Sequence, residues 1–143
     1  MPISSDASLR RLLEDVGSIA VVGIKAGEAD DAHRVPRYLQ RHGYRILPVS
    51  PKLERVLGEP CVPTLADLVE PPDLVNLFRA PQHVPAHVDE ILALGERPRG
   101  VWMQLGIRHG ESAHRLEAAG VQVVEDRCLM VEHRRLLGRE HPA

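Results

Sequence analysis

Four short segments hold the residues best suited to chemistry: Gly23-Ile24-Lys25-Ala26-Gly27, Ser50-Pro51-Lys52, Phe78-Arg79-Ala80-Pro81 and Gln104-Leu105-Gly106. In the first, glycines follow an apolar run, so backbone N–H groups can approach a phosphate at the positive end of a following helix. The spacing is not Gly-x-Gly-x-x-Gly, and a glycine that only closes a tight turn accounts for it equally well. The second segment ends another apolar run, Tyr44 to Val49, with a hydroxyl, a rigid ring and an ammonium. A nicotinamide dinucleotide site needs Asp or Glu there to accept from a ribose 2′-OH. Lys52 is instead a point charge suited to phosphate, the alternative being an ordinary solvated lysine after a proline turn. The chain has sixteen arginines and only two lysines, and both lysines lie in these loops.

The remaining polar candidates carry less. Phe78 and Val84, flanking Arg79 and Pro81, could wall an apolar slot for a purine or an acyl-type arm; a plain strand-to-helix junction with proline at the first helical position is the simpler reading. His83 and His87 stand at i, i+4, a metal-binding spacing, but no third ligand or His-Glu-x-x-His pattern accompanies them, so a solvated helix face is expected. His109 and His114 read the same way. Cys128, beside Arg127, is either a thiol with lowered pKa or a small buried hydrophobe, and the second is preferred. Cys61 and Cys128 lack Cys-x-x-Cys spacing, which argues against structural zinc and a disulfide framework. No Ser-His-Asp or Cys-His arrangement and no carboxylate pair stands out, so no catalytic or metal-binding residue is nominated.

The elements that must position these loops follow from periodicity. Helices are expected over Ser8 to Val16, from Asp30 or Asp31 to about His42, over one or two turns from Thr64 to Val69, over His83 to Leu94, over His109 to Ala119 and from Arg127 to Gly138. Pro36 is taken to sit early enough in its helix for the missing N–H to cost little. Strands are expected at Ser18 to Val22, Tyr44 to Val49, Leu74 to Phe78, Gly100 to Gln104 and Val121 to Glu125, with a short extended piece at Pro60 to Val62. Strands alternating with helices predict a doubly wound parallel sheet of about five strands in a three-layer αβα arrangement. Ligands of such sheets sit at the carboxyl ends of the strands, where strand order reverses. The four loops lie there.

Composition narrows the class. A chain of 143 residues, 43% hydrophobic and 27% charged, reads as one globular domain over 1–143. The formal net charge of −2 is interspersed and only four aromatics are present, so a nucleic-acid partner is not expected. No apolar run approaches the roughly 20 residues of a membrane span, and the N-terminus is unlike a signal peptide, so a cytoplasmic protein with no membrane partner is expected. Low asparagine, high proline and arginine-rich charge hint at a thermophile or a GC-rich genome.

The succession Ala20-Val21-Val22-Gly23, Tyr44 to Lys52, Leu57-Gly58-Glu59-Pro60-Cys61, Asp73-Leu74-Val75, Val101-Trp102-Met103-Gln104-Leu105-Gly106 and Asp126-Arg127-Cys128 resembles the small bacterial and archaeal CoA-binding proteins. Those are similar to the N-terminal CoA-binding domain of the succinyl-CoA synthetase α subunit. The likeness spans about residues 10 to 133. It implies a Rossmann-like fold that binds coenzyme A or an acyl-CoA. Gly23, Ile24, Lys25 and Ala26 would line the phosphate side, and Val49, Ser50, Pro51 and Lys52 would meet the adenosine and its phosphates. Phe78, Arg79 and Pro81 would form the facing wall, with Gln104, Leu105 and Gly106 toward the pantetheine. The synthetase's phosphorylated histidine lies in a second domain, so ligase chemistry is not implied and a non-catalytic binding module is expected, its protein partner unknown. Leu129 departs from the proline that often follows this cysteine. The alternatives are an NAD(P)-binding oxidoreductase or redox sensor, with Arg55 or Lys52 on a 2′-phosphate, and an interaction domain whose ancestral pocket is empty, which a closed or side-chain-filled groove beside Gly23 would support.

Overall fold

The computed structural model describes residues 1–138. Its strands are β1 (Ser18–Val22), β2 (Arg45–Val49), β3 (Arg55–Val56), β4 (Glu59–Pro60), β5 (Leu74–Leu77), β6 (Gly100–Met103) and β7 (Gln122–Val124); its α-helices are α1 (Asp6–Asp15), α2 (Asp31–Arg41), α3 (Val84–Leu92), α4 (Gly110–Ala118) and α5 (Leu129–Leu137). Five strands form one parallel sheet in the order β2-β1-β5-β6-β7, while β3 and β4 pair as a separate antiparallel hairpin. From β1 the chain goes to β2 on one side and returns to β5 on the other. The reversal therefore falls between the carboxyl ends of β1 and β5, where such sheets bind ligands.

Strand β1 is buried along its whole length because the sheet is covered on both faces. Ile19 and Val21 pack with Leu9, Leu13, Val35, Leu39 and Leu137 from α1, α2 and α5. Ala20 and Val22 pack with Val84, Val88, Ile91 and Leu116 from α3 and α4. This is a three-layer, Rossmann-like α/β arrangement. Val84 belongs to the second core and is fully buried, so it is no wall of an open slot.

Boundaries shift where capping chemistry intervenes. Helix α1 starts two residues before the expected Ser8 because the Ser5 hydroxyl accepts from the Ser8 amide. Helix α3 is preceded by a 3₁₀ turn, Pro81–His83, and the expected helix after Thr64 is the single 3₁₀ turn Leu65–Asp67. Pro36 is the sixth residue of α2, not part of its first turn. Its ring removes the bond that position 36 would make to the Ala32 carbonyl. That carbonyl instead accepts from the Lys25 amide at 3.2 Å, which ties the loop after β1 to the helix.

Candidate functional site

The groove starts at Gly23. Its φ is +87°, and a Cβ built there would lie 2.5 Å from the Phe78 carbonyl oxygen. The turn and the close approach of β5 both demand glycine. The Gly23 N–H donates to the Val49 carbonyl at 3.1 Å, so it joins β1 to β2 rather than facing a ligand. Two residues on, Lys25 is pinned at both backbone groups: its N–H donates to Ala32, and its carbonyl accepts from His33 Nδ1 at 2.9 Å. The carbonyl has no proton, so His33 must carry one on Nδ1. His33 is buried, and sequence reasoning gave it no role.

The second loop is shaped by a hydroxyl. Ser50 is buried and its Oγ accepts from the Lys52 amide at 3.2 Å, a turn that leaves the Lys52 side chain exposed at the mouth of β2. Beyond it, the β3–β4 hairpin turns through Leu57 and Gly58, both with positive φ, and Gln40 Nε2 on α2 donates to the Leu57 carbonyl. Arg55 donates to the Gly58 carbonyl within this hairpin and does not line the groove.

Between these loops lies a slot of about 170 Å³. Val22, Ile24, Val49, Pro51 and Pro63 give it apolar walls, with Gly23, Ser50 and Thr64 beside them and Lys25, Lys52 and Arg79 as its cations. His87 and Glu90 from α3 also line it. A wider channel of about 330 Å³ shares Gly23, Lys25 and Arg79 with the slot and runs past Phe78 to Gln104, Leu105 and Ile107. Eleven of the residues expected at the site line one space or the other; Ala26, Pro81 and Gly106 line neither. The Gly106 amide is taken by Asp126 Oδ1 at 2.6 Å, and this bond together with Arg108 holds the Asp126 carboxyl below the usual range.

Three details were hidden in the sequence. His87 is not on a solvated face: its side chain is 17% exposed, and Arg79 Nε donates to its Nε2 at 3.3 Å. Its Nδ1 lies 2.7 Å from Glu90 Oε1. An Nε2 that accepts leaves the proton on Nδ1, so a neutral imidazole links Glu90 to Arg79. Only the tertiary register of α3 against the loop after β5 brings these groups together. Second, the N-terminus of α2 is capped from within, Asp30 Oδ1 accepting from the Ala32 amide at 2.9 Å. With Asp30 and Asp31 lining the channel, side-chain cations rather than helix amides are the groups left to meet an anion. Third, Gln104 is buried and its Oε1 accepts from the Leu129 and Asn76 amides, so it ties the channel floor to the start of α5.

Cys128 is the N-cap residue of α5, and Cys61 is half-buried, with burial pushing its thiol pKa up. Among the described residues no group of three or more His, Cys, Asp or Glu side chains could hold a metal ion, and no helix is long and apolar enough to cross a membrane.

Comparison with known proteins adds four findings. The family model described as CoA binding domain matches residues 17–134. The uncharacterized protein YneT of Bacillus subtilis is 33% identical over 130 residues, covering 90% of this chain and 94% of its own. Among solved structures, cell-free ID.343 of Thermus thermophilus is 47% identical with a TM-score of 0.88, covering 93% of this chain and 99% of that one. A dinucleotide-forming acetyl-coenzyme A synthetase of Ca. Korarchaeum cryptofilum, 21% identical, shares the fold alone: its TM-score is 0.64, over 80% of this chain and 26% of its own.

Proposed function

The chain belongs to the CoA binding domain family, and from that premise we propose that the groove across β2, β1, β5 and β6 receives coenzyme A or an acyl-CoA, without ligase chemistry of its own. The observation that carries this reading is three cations along one apolar slot, Lys25, Lys52 and Arg79, of which Lys25 and Arg79 also line the open channel it joins. An adenine needs a flat apolar slot with a few polar groups at its rim, and Val22, Val49, Pro51 and Pro63 with Thr64 supply them. The 3′-phosphate and diphosphate need point charges and a guanidinium, which Lys25, Lys52 and Arg79 supply. The uncharged pantetheine arm suits the channel, where Phe78 and the 70%-exposed Leu105 offer apolar surface. Ala26, Pro81 and Gly106 would act through loop shape rather than contact.

Calorimetry on the whole chain with CoA, dephospho-CoA and NADPH tests this. CoA is expected to bind, dephospho-CoA to bind more weakly through loss of one phosphate, and NADPH to bind weakest because Arg55, the guanidinium that could hold its 2′-phosphate, is turned onto the Gly58 carbonyl and lines neither space. Equal binding of all three, or no binding, defeats the proposal. Tighter binding of NADPH than CoA would move the assignment to a dinucleotide site.

A further inference from the structure

A second cationic cavity, of about 350 Å³, opens between α2 and α5 and shares no lining residue with the groove. Four guanidiniums line it. Arg34, Arg37 and Arg41 form one stripe on α2, about 10.5 Å long at 1.5 Å per residue, and Arg134 comes from α5. Tyr38, His42 and Met130 complete the lining, and no carboxylate is among it. Arg34 pairs with Asp31 at 2.7 Å, and Arg134 lies 5.3 Å from the centre of the Tyr38 ring. Among the described residues Arg37 and Arg41 have no hydrogen-bond or ion-pair partner. Five arginines elsewhere are matched with acids: Arg45 with Glu70, Arg108 with Asp126, Arg115 with Asp89, and Arg127 and Arg135 with Glu132.

The cavity thus gathers three positive charges beyond its one neutralised guanidinium, in a chain whose formal net charge is −2. Like charges brought together raise the energy of the fold and are relieved by a ligand carrying several negative charges. The guanidiniums surround a concavity from two helices, which favours a compact anion over an extended strand. Their planar forks match phosphate oxygens in pairs. The floor is fixed: Tyr38 OH is 2.9 Å from His133 Nδ1, and the Tyr38 and His42 rings lie 4.1 Å apart. We propose that this cavity binds a compact polyphosphate, either inorganic or the phosphate chain of a nucleotide, independently of the groove.

Sodium tripolyphosphate titrated into the full chain by calorimetry is the test, with Arg37→Ala/Arg41→Ala and Lys52→Ala proteins alongside. At this cavity the double variant is expected to bind about tenfold more weakly or worse, and Lys52→Ala to leave that site in place, removing at most a separate one in the groove. ATP binding as tightly as tripolyphosphate would assign recognition to the phosphate chain; ATP binding much more tightly, with that binding lost in Arg37→Ala/Arg41→Ala, would assign a nucleotide. Arginine Nε–Hε resonances of the unaltered protein give a second readout if the double variant misfolds, with shifts expected at the four guanidiniums. No binding of tripolyphosphate, loss through Lys52→Ala instead, shifts at Arg79 alone, or tighter binding of a glutamate-rich peptide would each overturn the proposal.

Discussion

Gly23 packs so closely on the Phe78 carbonyl that any side chain must displace β5 or the loop after it. Gly23→Val combines that clash with a positive φ that a branched residue avoids, and is expected to cost about 2–3 kcal/mol or more, read as a lower urea midpoint. Lys52 separates binding from stability. Its side chain is exposed, and its backbone bond to Ser50 Oγ survives truncation. Lys52→Ala is therefore expected to keep the unfolding midpoint while weakening CoA binding by about 1–3 kcal/mol, roughly 5- to 150-fold. His87→Leu removes the acceptor that orients Arg79; a loss of about 0.5–1.5 kcal/mol in CoA affinity is expected. That loss should vanish in an Arg79→Ala background, and additive losses would mean the two act separately. The lysines were legible because position and rarity coincide in them. His87, Glu90 and Thr64 were not, since nothing local to those residues says which loop they will face.

At the scale of elements, periodicity located every sheet strand to within about a residue or two, while helix starts moved with their caps. Tyr44 shows how a side chain outside a helix finishes it. Its hydroxyl donates to the Leu13 carbonyl of α1 at 2.6 Å, an acceptor the helix end leaves free. Burial, aided by Tyr38 and Glu14, pushes the Tyr44 pKa up to about 12. A phenol raised above its unfolded value near 10 stabilises fully below pH 10, and that contribution is lost as pH climbs toward 12. Tyr44→Phe is expected to cost about 1 kcal/mol at pH 7 and to lose less stability than the parent between pH 10 and 12, followed by denaturant midpoints across that window.

For the whole molecule, the αβα layering follows from apolar runs such as β1, whose two faces both need cover. The strand order was not legible, because nothing in β5 says on which side of β1 it pairs. Nor was the joining of the first and last helices: Arg135 on α5 pairs with Asp6 on α1 and Glu132 on its own helix, and Arg127 completes the set. Burial pushes the Glu132 carboxyl up, but hydrogen bonds from Arg135 and Arg127 outweigh it and hold the group below the usual range. A carboxyl lowered on folding stabilises above its unfolded value of about 4.3, and the gain disappears as pH falls through the lower folded value. Thermal melts from pH 6 to pH 3 are expected to decline less steeply in Glu132→Gln than in the parent, from a lower start. Parallel curves would remove this network from the acid response.

Pro36 reaches further than its own helix. By withholding one amide it leaves the Ala32 oxygen for the backbone of Lys25, a lysine of the groove, which neighbouring His33 grips from the other side. Restoring an amide at position 36 would set two donors in competition for a single oxygen. A more regular helix would then come at the expense of a settled ammonium. The irregularity in α2 is thus a hinge pin: the same imide ring that interrupts the helix fixes where a cation stands.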